Sequence, residues 1–200
     1  MKYLVLLFLM LSAYGCAQEK TALVGETEWQ REMNANFKDA STSPLTEKGL
    51  RKFKGLDFFK FDSSYVVKAK LKLTPGSKPF KMKTTTKRLP EYRAFGIATF
   101  ELNGETHQLN VYQNLGLMKK EGYEDYLFIP FLDDTNGETT YGGGRYVEGA
   151  IPEGDVLEIN FNEAYNPYCA YSDRYSCPIV PRINYVKTAI EAGVKAYKKP

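Results

Sequence analysis

The chain has 200 residues, 43% of them hydrophobic and 26% charged, which is enough for one domain with a substantial core and too few for two comfortable ones. Its 27 Lys and Arg against 24 Asp and Glu leave a net charge of +3, too weak a field to point to nucleic acid or to adsorption on a membrane surface. A single histidine and three cysteines exclude a histidine-rich zinc centre and a disulfide-dense miniprotein.

Residues 1–15 read as an export signal. Lys2 supplies the positive start, Tyr3 to Leu11 is an unbroken apolar run, and Ser12-Ala13-Tyr14-Gly15 brings small residues up to Cys16. The run is shorter than the roughly 20 apolar residues of a spanning helix. The pattern resembles a bacterial lipoprotein signal, which implies cleavage before Cys16, lipidation of that cysteine and a cell-envelope location held by the lipid alone. Soluble secretion is the alternative, because Ala13-Tyr14-Gly15 also forms a small-x-small cleavage site. With Cys16 lipidated, Cys169 and Cys177 remain as one pair in an oxidising compartment, where a disulfide is the preferred assignment. Closing so short a loop is worth roughly 2.6 kcal/mol on chain-entropy arithmetic.

Residues 16–27 are polar and form a tether; the domain is expected over 28–200. In ETEWQREMNANF, Trp29, Met33 and Phe37 recur every four residues and predict a short amphipathic helix. The stripe is either a partner-binding face or, preferably, the face that packs on the domain's own sheet. Ser43-Pro44 followed by Glu47 reads as the start of a second short helix. After Gly55 the period becomes two. Tyr65, Val67, Ala69, Leu71 and Leu73 share one strand face, and Lys68, Lys70 and Lys72 the other, solvated face, where they also discourage edge pairing. Phe80 and Met82 continue the alternation after the Pro75-Gly76 turn. Arg93 to Leu102 and His107 to Tyr112 flank Asn103-Gly104, a hairpin signal because both residues tolerate positive φ. YLFIPF at 126–131 is continuously apolar and suits a strand buried on both faces, and DVLEINFN at 155–162 alternates again. Val186, Ile190 and Val194, spaced by four, predict a final helix from about Asn184 to Tyr197. Six to eight strands with helices at the two ends predict a mainly β fold, an antiparallel β-barrel or sandwich with a short N-terminal helical segment and a C-terminal helix.

Several unusual words stand in order between Phe53 and Lys195: FKGLDFFKFDSSYVVKAKL, TTTKRLPEYRAFGIATFELNG, LFIPFLDDTNGETTYGGGRYVE and LEINFNEAYNPYCAYSDRYSCPIVPRINYVKTAIEAGVK. In these the chain resembles a bacterial family, domain of unknown function 1684. Arg182-Ile183-Asn184 departs from the family pattern, which has Pro or an acidic residue before the Asn. The resemblance implies no activity, since none is assigned to the family.

Two stretches could carry chemistry. The first runs from Asp133-Asp134-Thr135-Asn136-Gly137 through Tyr141-Gly142-Gly143-Gly144-Arg145. Consecutive glycines can turn several N–H groups toward one point, and Arg145 could pair with a carboxylate or phosphate. The alternative is a tight turn with Arg145 held by Asp133, Asp134 or Glu163. The GxxxxGK[ST] spacing of a nucleotide loop is absent. The second stretch, Asn160 to Cys177, mixes Tyr165, Tyr168, Tyr171 and Tyr175 with Asn160, Asn162 and Asn166. Flat apolar faces beside amide donors and acceptors suit a neutral polar ligand such as a sugar or peptide segment; the alternative is a long loop satisfying its own backbone.

Together these define a candidate pocket with Arg145 as anion anchor, Tyr141 and Tyr165 as walls, Asn160, Asn162 and Asn166 as orienting groups, and Arg88 and Tyr92 completing it. The leading expectation is an envelope lipoprotein binding a small polar or anionic ligand, with no cofactor, no metal and no nucleic-acid partner. Two others stand beside it: a hydrolase of carbohydrate or another envelope component using Asp133 or Glu163, with Asp134 and Glu138 as further carboxylates, and a structural module with no ligand site. His107 lacks a placed partner and is expected on a strand surface.

Overall fold

A computed structural model describes residues 25–199; the export signal, Cys16 and most of the tether lie outside the described residues. Helix α1 (Glu28–Lys38) opens where Thr27 accepts the Gln30 N–H, with Glu28 in its first turn and Lys38 in its last, each matching the sign of the helix dipole at that end. Its apolar stripe buries Phe37 beside Leu45, Leu56, Tyr171 and Val194 and leaves Trp29 and Met33 half-buried. The helix therefore rests on loops and on the C-terminal segment, not on the sheet. Helix α2 (Glu47–Lys52) begins later than Ser43-Pro44 suggests. Thr46 caps it, accepting from Gly49 N at 3.1 Å, whereas Ser43 Oγ donates to Phe37 O at 2.6 Å and closes the end of α1.

The remaining elements are strands β1 (Val66–Leu73), β2 (Phe80–Lys81), β3 (Glu91–Leu102), β4 (Glu105–Asn114), β5 (Tyr126–Asp133), β6 (Arg145–Ala150), β7 (Val156–Asn160) and β8 (Tyr185–Val186). They form one curled sheet, a half-barrel, in the order β6-β5-β4-β3-β1-β7, with β2 added to β3 and β8 running parallel to β5. Alternation sets the two faces of β1: Val67, Ala69 and Leu71 are buried and the three lysines exposed. Because β1 pairs with both β3 and β7, those lysines cover the outside of a central strand and guard no edge. Asn103 and Gly104 turn the β3–β4 hairpin at φ 53° and 79°, the left-handed pair that matches the twist of the flanking strands. β5 is buried on both faces. Leu127, Ile129 and Phe131 join the inner core with Leu109, Val147 and Ile159, while Phe128 packs outward among Tyr92, Tyr112 and Tyr146. His107 is not on the surface. It pairs with Phe100 across the hairpin on the same inward face as Leu109 and Val111, is 8% exposed, and stacks on Phe100 at 5.8 Å.

The expected C-terminal helix is absent, and both α-helices among the described residues are N-terminal. Val186, Ile190 and Val194 are buried as the periodicity implies, but on a non-helical strap whose Val186, Ile190 and Ala192 join the inner core. Its backbone bonds run to other segments: Thr188 O accepts from Asp134 N, Phe59 N donates to Gly193 O, Val194 N to Ala164 O and Lys195 N to Asp57 O. Gly193 sits at φ +76°, where a Cβ would lie 2.4 Å from Ala164 O. A helix would keep those bonds within the strap and forfeit every one of these attachments.

Candidate functional site

The glycine-rich corner folds inward. Asp133, at the end of β5, and Arg145, at the start of β6, are fully buried and paired at 2.9 Å between Nη2 and Oδ2. The same Nη2 donates to Ile190 O at 2.8 Å, Nη1 donates to Ala192 O, and the guanidinium lies over the Phe131 ring at 5.2 Å. Asp133 Oδ1 accepts from Thr135 N at 2.8 Å, from Thr135 Oγ1 and from Ile190 N at 3.3 Å. Gly144 makes the approach possible: at φ +84° its missing Cβ would stand 2.6 Å from Phe131 O. Arg145 thus latches the strap to the sheet. Burial disfavours its charge and Asp133 opposes that loss.

The two stretches of interest nevertheless meet. Tyr146 and Tyr165 exchange backbone bonds, N to O at 2.9 and 3.0 Å, and their rings meet edge to face at 5.8 Å. Beside this bridge an open groove of about 610 Å³ runs between α1 and the sheet. Trp29, Met33 and Phe37 form one wall, Tyr146 and Glu148 of β6 the floor, and Tyr165 to Tyr168 with Tyr175 to Pro178 the other wall. Tyr165 and Tyr126 both donate to Glu148 Oε1, the latter at 2.9 Å. Burial holds both phenols far above the usual tyrosine range, and the neighbouring carboxylate raises them further. They therefore remain donors and orient Glu148, whose side chain is exposed at the groove.

Of the residues singled out in the sequence, Tyr165, Asn166, Tyr168, Tyr175 and Cys177 border this groove. Asn166 is 1% exposed; Nδ2 donates to Lys195 O at 2.9 Å and to Tyr171 Oη at 3.2 Å, and Oδ1 has no partner. Arg88 reaches the rim through Ser176, donating to its Oγ at 3.1 Å and its carbonyl at 2.6 Å. The others lie elsewhere. Asn160 caps the turn at Phe161–Glu163 and donates to Glu163 Oε1 at 2.8 Å. Asn162 exchanges bonds with Asp62 at 3.0 and 2.8 Å, tying the lead-in of β1 to the end of β7. Tyr92 is buried in the outer aromatic layer, 5.8 Å from Phe128. Tyr141 stands with its hydroxyl 3.9 Å from Cys169 Sγ. Cys169 and Cys177 are brought together, with Cys169 N donating to Cys177 Sγ at 3.1 Å.

Sequence reasoning missed Tyr146 and Glu148, although the period of two on β6 puts them on one face. It also gave no reason to set Trp29 and Met33 against Tyr168 and Tyr175, because only the course of the chain between residues 38 and 165 brings them together. Among the described residues no cluster of His, Cys, Asp or Glu could hold a metal ion, and no helix is long and apolar enough to cross a membrane.

A curled antiparallel sheet closed by a strap, with a groove beneath an N-terminal helix, defines the class of protein. Residues 51–195 match the family model described as Protein of unknown function (DUF1684), and the chain belongs to that family. It is also similar to an uncharacterized protein of Haloarcula marismortui solved by solution NMR, with 32% identity and a TM-score of 0.65 over 83% of this chain and 89% of that one. No curated protein matches.

Proposed function

We propose that this is a lipid-anchored cell-envelope protein that holds a small neutral polar ligand, a sugar or a short peptide segment, in the groove between α1 and the tyrosine-rich loop. The observation that carries the reading is the floor: Glu148 is fixed by two phenols, in a groove that Trp29, Tyr168 and Tyr175 also line. Rings supply apolar faces for stacking while an oriented carboxylate accepts from ligand hydroxyl or amide groups. An anionic ligand is disfavoured, because Glu148 is the charged side chain bordering the groove and Arg145 is latched elsewhere. The two-carboxylate chemistry of a glycoside hydrolase needs a partner roughly 5–9 Å away. Asp133 is in its buried ion pair, Asp134 accepts from Tyr185, and Glu163 accepts from Asn160, so none of them supports that alternative.

The test is a thermal-shift and calorimetric panel of sugars and peptides. At least one compound should raise the melting temperature of the native protein and lose about tenfold in affinity with Trp29→Ala. A panel that leaves wild type and Trp29→Ala indistinguishable removes the reading. The anchor has its own check: Cys16→Ser should move the protein from the membrane fraction to the soluble fraction, and unchanged partition would refute lipidation.

A further inference from the structure

The Cys169/Cys177 pair is asymmetric in a way that a passive cross-link does not require. Cys169 lies in the 3₁₀ turn Tyr168–Ala170 and is partly exposed, while Cys177 is 6% exposed and borders the groove. Three contacts fix their geometry. Cys169 N donates to Cys177 Sγ at 3.1 Å, Cys177 N donates to Thr85 Oγ1 at 3.1 Å, and the Tyr141 hydroxyl stands 3.9 Å from Cys169 Sγ. Cys169 is thus the more exposed of the two, and Cys177 is held beside it by a segment anchored on both sides, with Thr85 N also bonded to Cys177 O at 2.9 Å.

We infer that Cys169 and Cys177 form a thiol–disulfide exchange site, with Cys169 the attacking thiol, Cys177 the resolving thiol and a low-molecular-weight disulfide the oxidising substrate. Cys169 thiolate attacks one sulfur of the external disulfide, forms a mixed disulfide and expels the first thiolate. Cys177 then gives up its proton and attacks Cys169 Sγ, closing the protein bridge and expelling the second thiolate. Two electrons pass from the protein dithiol to the external disulfide, which leaves as two thiols after taking up the protons. The electrostatics agree with the geometry. The Cys177 thiol, hydrogen-bonded to Cys169, draws Cys169 down to about 6, with a smaller contribution from Tyr141, and correspondingly holds Cys177 far above the ordinary thiol range. The titratable and charged neighbours of the pair are Tyr141, Tyr146 and Arg88; both phenols are pushed up by burial and stay neutral, and Arg88 favours the charged form of Cys177. No histidine base is needed at such a thiolate. Closure would tie the Pro167–Tyr168 side of the groove wall to the Ser176–Pro178 side. The inference stands apart from the identity of any ligand in the groove.

The reduced full-length protein is alkylated with iodoacetamide across pH and the modified cysteine mapped by mass spectrometry. Cys169 should react at least about tenfold faster than Cys177, with a rate that falls as pH drops through about 6. In mixtures of reduced and oxidised glutathione the folded protein should pass reversibly between dithiol and disulfide, and Cys177→Ser should trap a glutathione mixed disulfide on Cys169. A bridge that resists every glutathione mixture until the protein is denatured would make the pair a structural cross-link. Equal or negligible alkylation of both thiols in the native protein would overturn the inference even if Cys177→Ser fails to fold.

Discussion

The glycine-rich corner and the groove are built from the same kinds of residue and come to opposite ends. At the corner, Asp133 and Arg145 are completely buried; the Asp133 carboxylate is met by Arg145, Thr135 and Ile190 N, and the two Arg145 Nη atoms by Asp133 and the carbonyls of Ile190 and Ala192, leaving only Nε without a partner. In the groove, Glu148 is fixed by Tyr126 and Tyr165 yet stays exposed, and the rings that also line the groove face open space. The lesson is that a conspicuous sequence word says a conformation is required, not that a ligand is bound. TYGGGR is conspicuous because Gly144 must let the chain pass against Phe131 O. The groove is assembled from ordinary words that become a site only when the chain brings them together.

The sharpest way to break this comparison is at the corner. Arg145→Met should destabilise the protein by about 3–5 kcal/mol, because it leaves Asp133 charged and buried without its partner. Denaturant unfolding measures the loss, and Asp133→Leu combined with Arg145→Met should recover much of it. If Arg145→Met instead left stability intact and abolished ligand binding, the corner would be the site. The strap gives the next effect. Gly193→Ala should cost about 1–3 kcal/mol through its left-handed backbone and the crowding against Ala164, read as a lower urea midpoint with an unchanged slope. The groove should show the reverse pattern. Glu148→Gln keeps an oxygen for the two phenols, so the unfolding free energy should change by less than about 1 kcal/mol while affinity for the ligand found in the panel falls about tenfold. Loss of stability with retained affinity there would move Glu148 to the structural side of the comparison.

Much of the fold is legible in the sequence for local reasons. The β1 alternation, the Asn103-Gly104 turn, the doubly buried β5 and the α1 stripe each depend on a period or a turn preference that neighbouring residues carry among themselves. Where the reading failed, a distant partner decided the outcome. Val186, Ile190 and Val194 have helical spacing, but the Ile190 and Ala192 carbonyls are claimed by Arg145 and the Gly193 turn by Ala164. His107 is buried because the hairpin register sets it beside Phe100. Thr46 rather than Ser43 caps α2 because Ser43 is drawn to the carbonyl end of α1.

The sequence by itself determined a β-rich chain, family membership carried by its central and C-terminal words, and the tyrosine-rich loop in which Tyr165 and Asn166 proved to border the groove. Tertiary structure alone decided that Arg145 faces inward, that the C-terminus is a strap and that Trp29 stands opposite Tyr168 and Tyr175. The physical reason is one of range. Periodicity and turn chemistry act over a few residues, whereas satisfying a buried charge or enclosing a groove depends on groups separated by tens of residues, whose meeting only the folded chain defines.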